Sequence, residues 1–596
     1  MGLPGIGSDP LAHYWRNWWM SYALTTDSLS VMHTPMIFHP AGVPSLLGAL
    51  PFGIAYVILS LMIPNLLSYN LLFLLQFALS AYGCYRLALY MLNDRWAAIY
   101  SGLIFGLSPF MLAKGMGHCV AVQAVSIPLA MLEFFKALDK NEYTPTRAIL
   151  AGFWAGITAL TSVYFAIYLG LWFLGFALWL IIKRRSGWMI NWVTAVATMV
   201  LIALSKAIIM LQPAAEGSFL SIKTLGKWYL TSIDLLGIIT PHWNHPIWGN
   251  FFDIFHISSP ERAAFLGISA LILAVFGWRK HIFNNWRVWI GIWTVSAWVL
   301  SLGPMLQVAG KPTFIPLPDA VLSVFPVINA VTSVSMWMVL AVLGVALLAG
   351  GGVACLHQRG NWWRWTWIAA IIVAVIEYLP NPYPVIQLKH PVILKQLGNN
   401  QINKAVLSLP VGGGDTMGEI GLYDPITIWY QTLYKKPVFG GRISRMGNAE
   451  RASLNSDLIK MIIQTQDSVI SSEKKQPAFN PRAQGIRVKV LQWVEKDSWL
   501  AGLIKKIVGT AKLSQVLNKA KLSPEIKSKP ILVHLDNATT LHQADSLRIG
   551  FVLATDLSSS VVRGGLELCQ SILPLELVGE ESGVGLYKIN YPGEKY

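Results

Sequence analysis

With 596 residues, only 13% of them charged and 54% hydrophobic, and a mean hydropathy of +0.50, this chain is not a soluble globule throughout. Soluble domains carry about twice that charged fraction. The formal charge of +16 would suit nucleic acid, but the basic residues sit in short loops beside apolar runs, the positive-inside pattern of a membrane protein. Acids thin out where apolar runs crowd: residues 1–380 hold 12 Asp/Glu and 20 Lys/Arg, residues 381–596 hold 18 and 26. The expected fold is a polytopic α-helical membrane protein of about 10–11 spans with a C-terminal soluble α+β domain.

In chain order, Gly5 to Pro40 is polar and aromatic, with Gly7-Ser8-Asp9-Pro10 ahead of His13-Tyr14-Trp15-Arg16-Asn17-Trp18-Trp19. An acid beside Gly and Pro, then an aromatic-rich helix, reads as a site held at a bilayer surface. Asp9 also suits a cap for a helix starting near Leu11. Trp15, Trp18 and Trp19 read as headgroup anchors, with sugar stacking as their second use. No cleavable signal is expected, since the first apolar run starts only near Pro44.

Runs long enough for a hydrocarbon core of about 30 Å fall near 66–92, 96–113, 119–137, 148–164, 165–182, 189–211, 263–278, 285–302, 328–355 and 364–380. The run 44–64, interrupted by Pro51 and closed by Pro64, either spans or lies in the interface. Loops at Asn93–Arg95, Lys136–Arg147, Lys183–Arg185, Arg279–Arg287 and Arg359–Arg364 share one side and hold twelve Lys/Arg, so that side is expected to be cytoplasmic. The other side carries Lys114 to His118, the long loop 212–262, residues 303–327 and everything after 380.

Several polar residues on that outer side invite chemistry. His118 follows Lys114 across what reads as a five-residue turn, either as a hydrated polar tip or as a phosphate contact with that lysine. Lys206 lies about 7 Å deep in an apolar run, where it either snorkels or meets a buried anion. His242, His245, Asp253, His256, Glu261 and Arg262 fall in the loop 212–262. The His-x-x-His at 242 and 245 lacks the i, i+4 spacing of a helical zinc site. Glu261 also suits the start of the next helix. Cys84, Cys119, Cys355 and Cys569 show no paired spacing.

Beyond residue 380, strand-like runs at 404–411, 426–434, 486–494, 530–535, 573–578 and 584–590 alternate with helical patterns near 452–466 and 498–520. Lys505, Lys506, Lys512, Lys519 and Lys521 give the second helix a basic face, suited to solvent or to anionic lipid. This domain is expected to bind or position something and to carry no chemistry. The expected division is 1–43, an extracytoplasmic loop with its aromatic helix; 44–380, the membrane domain; and 381–596, the extracytoplasmic domain.

The order of short motifs resembles one family. Gly5-Ile6-Gly7-Ser8-Asp9-Pro10, Ile37-Phe38-His39-Pro40-Ala41-Gly42, Ser108-Pro109-Phe110 with Gly117-His118, and Thr240-Pro241-His242 come first. Glu261, Leu302-Gly303-Pro304, Ile315-Pro316-Leu317-Pro318, Glu377, Val406–Pro410 and Phe439-Gly440-Gly441 continue the series. Taken together they resemble bacterial multi-pass glycosyltransferases of the GT-C superfamily, in the branch with a C-terminal periplasmic domain.

That resemblance implies sugar transfer from a polyprenyl-phosphate donor to an extracytoplasmic acceptor in the inner membrane. It implies Asp9 as catalytic base or metal partner, with a divalent Mg or Mn ion as possible cofactor. Lys114, His118 and Lys206 would hold the donor phosphate and lipid, and His242, His245, Glu261 and Arg262 would be loop or acceptor candidates. The partners implied are the lipid donor and membrane lipids, without nucleic acid. By the same analogy 44–64 resembles a juxtamembrane helix. The sequence departs from the pattern in showing no span before Asp9, one acid where many relatives have two, and no arginine in Ala330–Ser335. A non-catalytic scaffold or assembly subunit is the alternative reading.

Overall fold

The computed structural model describes residues 2–45, 48–139, 143–185, 187–215, 231–241, 245–249, 260–279, 283, 286–323, 325, 331, 333–359, 365–379, 382–400, 404–414, 419–443, 446, 448–473 and 537–591. The chain forms two units. The first holds Met1–Ser21, Leu46–Leu211 and Ile222–Gln387; the second holds Tyr22–Ser45, Gln212–Ser221 and Leu388–Tyr596.

The first unit is helical. Helix α1 (Ser8–Leu24) carries Asp9 in its first turn. Helix α2 (Leu50–Ser60) has 11 residues, about 16 Å of length against a hydrocarbon core of about 30 Å. As a helix, the run 44–64 is therefore too short to cross. Helix α3 (Asn65–Leu92) follows Pro64 and ends at Asn93, whose left-handed backbone closes it. The next apolar run is interrupted by Ser108-Pro109. Its halves are α4 (Arg95–Gly106), capped by Asp94, and α5 (Pro109–Gly117), capped by the Ser108 hydroxyl with Pro at its start.

The expected span at 119–137 begins late. Residues 118–124 are held in turns by Ser80 of α3, whose hydroxyl donates to the Val122 carbonyl at 2.7 Å and accepts from the Ala124 amide at 3.1 Å. Helix α6 (Ser126–Leu138) starts only after them, with Pro128 in its first turn. Helices α7 (Pro145–Thr161), α8 (Val163–Ile182) and α9 (Met189–Ala215) come next, then α10 (Ile268–Arg279), α11 (Arg287–Ser301), α12 (Met338–His357) and α13 (Thr366–Tyr378).

Five helical stretches among the described residues are long and apolar enough to cross a membrane: Asn65–Leu92, Arg95–Gly117, Val163–Ile182, Met189–Ile208 and Val334–His357. The other expected spans are helices of 12 to 17 residues, shorter than the roughly 20 that a straight crossing takes. The core lies on α12, buried from Met338 to Ala354. Glycine lets its neighbours approach: a Cβ at Gly350 would stand 1.9 Å from the Ser101 hydroxyl of α4, and one at Gly352 2.2 Å from the Leu273 carbonyl of α10.

The second unit contains a four-stranded sheet in the order Leu575–Glu581, Val584–Ile589, Ile549–Ala554, Ala405–Leu409. The last two strands run parallel and the other pairs antiparallel. Helices Asp457–Glu473 and Ser560–Ile572 accompany the sheet. The expected strand at 426–434 is instead the helix Ile426–Tyr434, begun after Pro425 and ended by left-handed Lys435. A buried apolar run of that length does not distinguish helix from strand by pattern. The runs 486–494, 498–520 and 530–535, with their lysines, lie outside the described residues.

The segment 22–45 belongs to this second unit. Met36 and Phe38 exchange backbone bonds with the segment 438–440: the Val438 amide donates to Met36 at 2.9 Å, the Phe38 amide to Gly440 at 2.9 Å and the His39 amide to Val438 at 3.1 Å. The Gln431 amide side chain also donates to the Met36 carbonyl, and His39 Nε2 donates to the Leu547 carbonyl at 3.1 Å. Phe38 is fully buried. Its ring lies so close to Gly413 that a Cβ there would stand 2.7 Å away.

Candidate active site at the ends of α1 and α5

The N-terminal segment is fastened before it reaches Asp9. Gly2–Pro4 pairs antiparallel with Val385–Gln387, the Gly5 amide donates to Pro384 at 2.8 Å, and the Ile6 amide donates to Met116 at 2.8 Å. Gly5 has φ +121°, and a Cβ there would meet Pro10 at 2.5 Å and the Met116 carbonyl at 2.6 Å, so the turn excludes a side chain. This lays the start of α1 against the end of α5. Buried His13 of α1 then pins the helix to α3 through a 3.0 Å bond from its Nδ1 to the Tyr69 hydroxyl. Burial, aided by Arg16, pushes His13 down to about 3, so it stays neutral.

Lys114 and His118 are not a turn pair. Lys114 lies in the last turn of α5 and His118 caps it, and the i, i+4 spacing puts both on one face. Both reach Glu261, in the short 3-10 turn Pro260–Arg262. Lys114 Nζ, fully buried, donates to Glu261 Oε2 at 2.9 Å, to the Glu261 carbonyl at 3.1 Å and to the Ser335 hydroxyl at 2.9 Å. His118 Nε2 bonds Glu261 Oε1, while its Nδ1 lies 3.4 Å from Asp9 Oδ2. The Ser333 hydroxyl donates to Glu261 Oε2 at 3.3 Å. Burial pushes the Glu261 carboxyl up, but Lys114 and His118 outweigh it and hold the group well below the usual carboxylate range.

Four of the residues singled out in the sequence therefore meet: Asp9, Lys114, His118 and Glu261. The arginine-free stretch before α12 contributes Ser333 and Ser335 to the same cluster. Sequence reading missed both hydroxyls, since a serine carries no signal without its neighbours.

The remaining candidates lie elsewhere. Lys206 does not snorkel outward; its ammonium donates to the carbonyls of Leu160 at 2.8 Å, Gly48 at 3.2 Å and Ala159 at 3.4 Å. Two of these belong to the last turn of α7, where carbonyls lack helical partners and a cation suits the dipole. His245 Nδ1 accepts the amides of Ile247 at 3.2 Å and Trp248 at 3.1 Å, so Nε2 carries the hydrogen and donates to Ile376 at 3.0 Å. That histidine shapes a turn. Arg262 is buried beside Glu261 in the chain. His242, Asp253 and His256 lie outside the described residues.

The start of α10, which Glu261 was expected to suit, is capped by Glu377. Its carboxylate accepts the Ser269 amide at 3.0 Å and hydroxyl at 2.5 Å. Trp15, Trp18 and Trp19 are buried, and Trp15 stacks on Trp19, so they pack inside the protein instead of anchoring at headgroups.

Among the described residues the donor set does not fit a divalent ion. Lys114 and His118 already occupy the two Glu261 oxygens, leaving Asp9 as the one acid not so engaged, and among the described residues no group of three His, Cys, Asp or Glu is spaced to hold a metal.

No protein-family model and no curated protein matches the sequence. Solved structures give likenesses at low identity. The chain aligns over 99% of its length with 70% of the oligosaccharyltransferase AglB of Archaeoglobus fulgidus, in complex with an inhibitory peptide and a dolichol-phosphate, at 10% identity and TM-score 0.47. It aligns over 99% with 42% of the arabinofuranosyltransferase AftD from Mycobacteria, at 11% identity and TM-score 0.46. Over 76% of its length it matches 84% of ArnT from Cupriavidus metallidurans bound to undecaprenyl phosphate, at 11% identity and TM-score 0.40. The three are membrane glycosyltransferases of the GT-C superfamily.

Proposed function

We propose that the protein is an integral membrane glycosyltransferase that moves a sugar from a polyprenyl-phosphate carrier to an extracytoplasmic acceptor, with the domain after residue 380 on the same outer face. The observation that carries this reading is the convergence of Asp9, His118, Glu261 and Lys114 from separate segments of the chain. Asp9 is half-exposed at the open edge of that cluster and His118 is partly so, whereas Lys114 is sealed beneath.

In the proposed step an acceptor hydroxyl oxygen bonds to the sugar C1 as its proton passes to Asp9. The bond from C1 to the phosphate oxygen breaks, and the lipid phosphate leaves with that electron pair. A positioned base contributes about 10²–10⁴-fold to such a step. Glu261, fixed by Lys114, holds His118, and His118 in turn faces Asp9 and keeps its carboxylate aimed. Nothing in the step is routed through a metal.

One observation favours the alternative of a non-catalytic scaffold: the Lys114 ammonium is taken up by Glu261 and Ser335 inside the protein, as in a purely structural ion pair. Transfer of labelled sugar from polyprenyl phosphate in purified membranes separates the two. Wild-type transfer that is lost in Asp9→Asn supports catalysis. No transfer from any of a panel of sugar donors supports the scaffold.

A further inference from the structure

Three cations lie near this end of the first unit, and they differ in what holds them. Lys114 is taken up by Glu261 and Ser335. Lys206 donates only to backbone carbonyls, which satisfies its hydrogens but leaves its charge unneutralised. Arg16, half-buried on α1, makes no hydrogen bond and no ion pair with any described residue. Burial pulls its guanidinium down, and Asp9 and Cys119 pull it back up at longer range. A guanidinium offers five N–H donors, and leaving such donors unmade in a partly dry site is costly.

Arg16 and Lys206 approach the same short piece of backbone. Lys206 Nζ donates to the Gly48 carbonyl at 3.2 Å, and a Cβ at Gly48 would stand 3.8 Å from Arg16 Nη1. Two positive charges thus flank Gly48, which itself carries no side chain. Asp9 and Arg16 are seven residues apart on α1, on one face and about 10 Å apart along the axis, so an anion at Arg16 would lie beside the acid without replacing it. The helices at Gly48 also suit a hydrocarbon tail. Ile54 and Ile58 of α2 and Leu201, Leu204 and Ile208 of α9 are exposed and apolar.

We propose that Arg16, with Gly48 and Lys206 beside it, binds the phosphate of an isoprenoid-phosphate lipid. This rests on the carrier class named under the proposed function and assigns its phosphate to a residue outside the Glu261 cluster. A planar guanidinium can grip two phosphate oxygens at once, and the bare Gly48 backbone lets the headgroup approach.

The test uses the full-length protein in phosphatidylcholine nanodiscs, with sugar-free polyprenyl monophosphate as probe and binding read by native mass spectrometry. Arg16→Gln should weaken binding about 10- to 100-fold, the value of one or two charge-assisted bonds, and Arg16→Lys should recover part of it. Gly48→Asp puts a carboxylate beside the guanidinium and should weaken binding with Arg16 intact. Asp9→Asn should bind at least as tightly as wild type, even where it abolishes transfer. Wild-type affinity in both Arg16→Gln and Gly48→Asp would overturn the proposal. So would phosphatidic acid or inorganic phosphate binding as tightly as the isoprenoid probe. If wild type transfers no sugar yet loses the probe on Arg16→Gln, the catalytic reading fails and this site stands.

Discussion

His118 stands between two carboxylates, with Nε2 bonded to Glu261 and Nδ1 3.4 Å from Asp9. The two acids differ in burial and in what holds them. Glu261 is tied to a fully buried lysine and the histidine, whereas Asp9 is half-exposed. One is placed to hold the geometry and the other to meet a substrate.

Removing the first should therefore cost stability. Glu261→Gln strands the buried Lys114 charge, and breaking one side of a buried pair costs about 3–5 kcal/mol, less here because the Glu261 side chain retains 29% exposure. The paired change Glu261→Gln with Lys114→Met should restore much of the loss. Melting temperatures in detergent report both. A double variant no more stable than the single one would mean that the lysine was not the stranded group.

Removing the second should cost activity instead. Asp9→Asn should lower sugar transfer by at least about 100-fold while leaving the melting temperature within a degree or two, because its side chain is half-exposed. A comparable fall in melting temperature would recast Asp9 as part of the scaffold.

The lowered Glu261 value gives a pH signature. Its stabilisation is complete above the ordinary glutamate value of about 4.3 and is lost as pH falls toward the lower value of the folded state. From about pH 5 downward, wild type should lose melting temperature more steeply than Glu261→Gln. Parallel curves for the two proteins would remove Glu261 from the acid response.

Phe38 tests the fastening of segment 22–45. Truncating this fully buried ring to alanine should cost about 3–5 kcal/mol and expose residues 22–45 to limited proteolysis. Gly441→Val should do likewise, since its φ is +142° and a Cβ would press on Ile37 at 3.2 Å. Unchanged cleavage in both variants would show that the ring and the glycine do not hold the segment.

Much of the helical body was legible because apolar run length is a one-dimensional signal. The ends were not: Ser80 delays α6 from 42 residues away, and no local pattern announces that. The acids and bases of the cluster stood out in the sequence because charge is rare there, which singled out Lys114 and Glu261 even though 147 residues separate them. Ser333, Ser335 and Arg16 did not stand out. A serine is informative only once its neighbour is known, and the interest of Arg16 lies in the partner it lacks.

The bond from Gln431 to Met36 spans 395 residues of sequence. At a synthesis rate of about 5–20 residues per second, residues 36–39 emerge roughly 20–80 s before the backbone that receives them. The segment that follows the Asp9 helix thus waits, unpaired and carrying Ile37 and Phe38, through insertion of the membrane helices. A ribosome stalled before residue 438 would leave a nascent chain with its helices in place and this strand-like stretch open to chaperones or proteases. Synthesis of the segment 431–440 is what withdraws it.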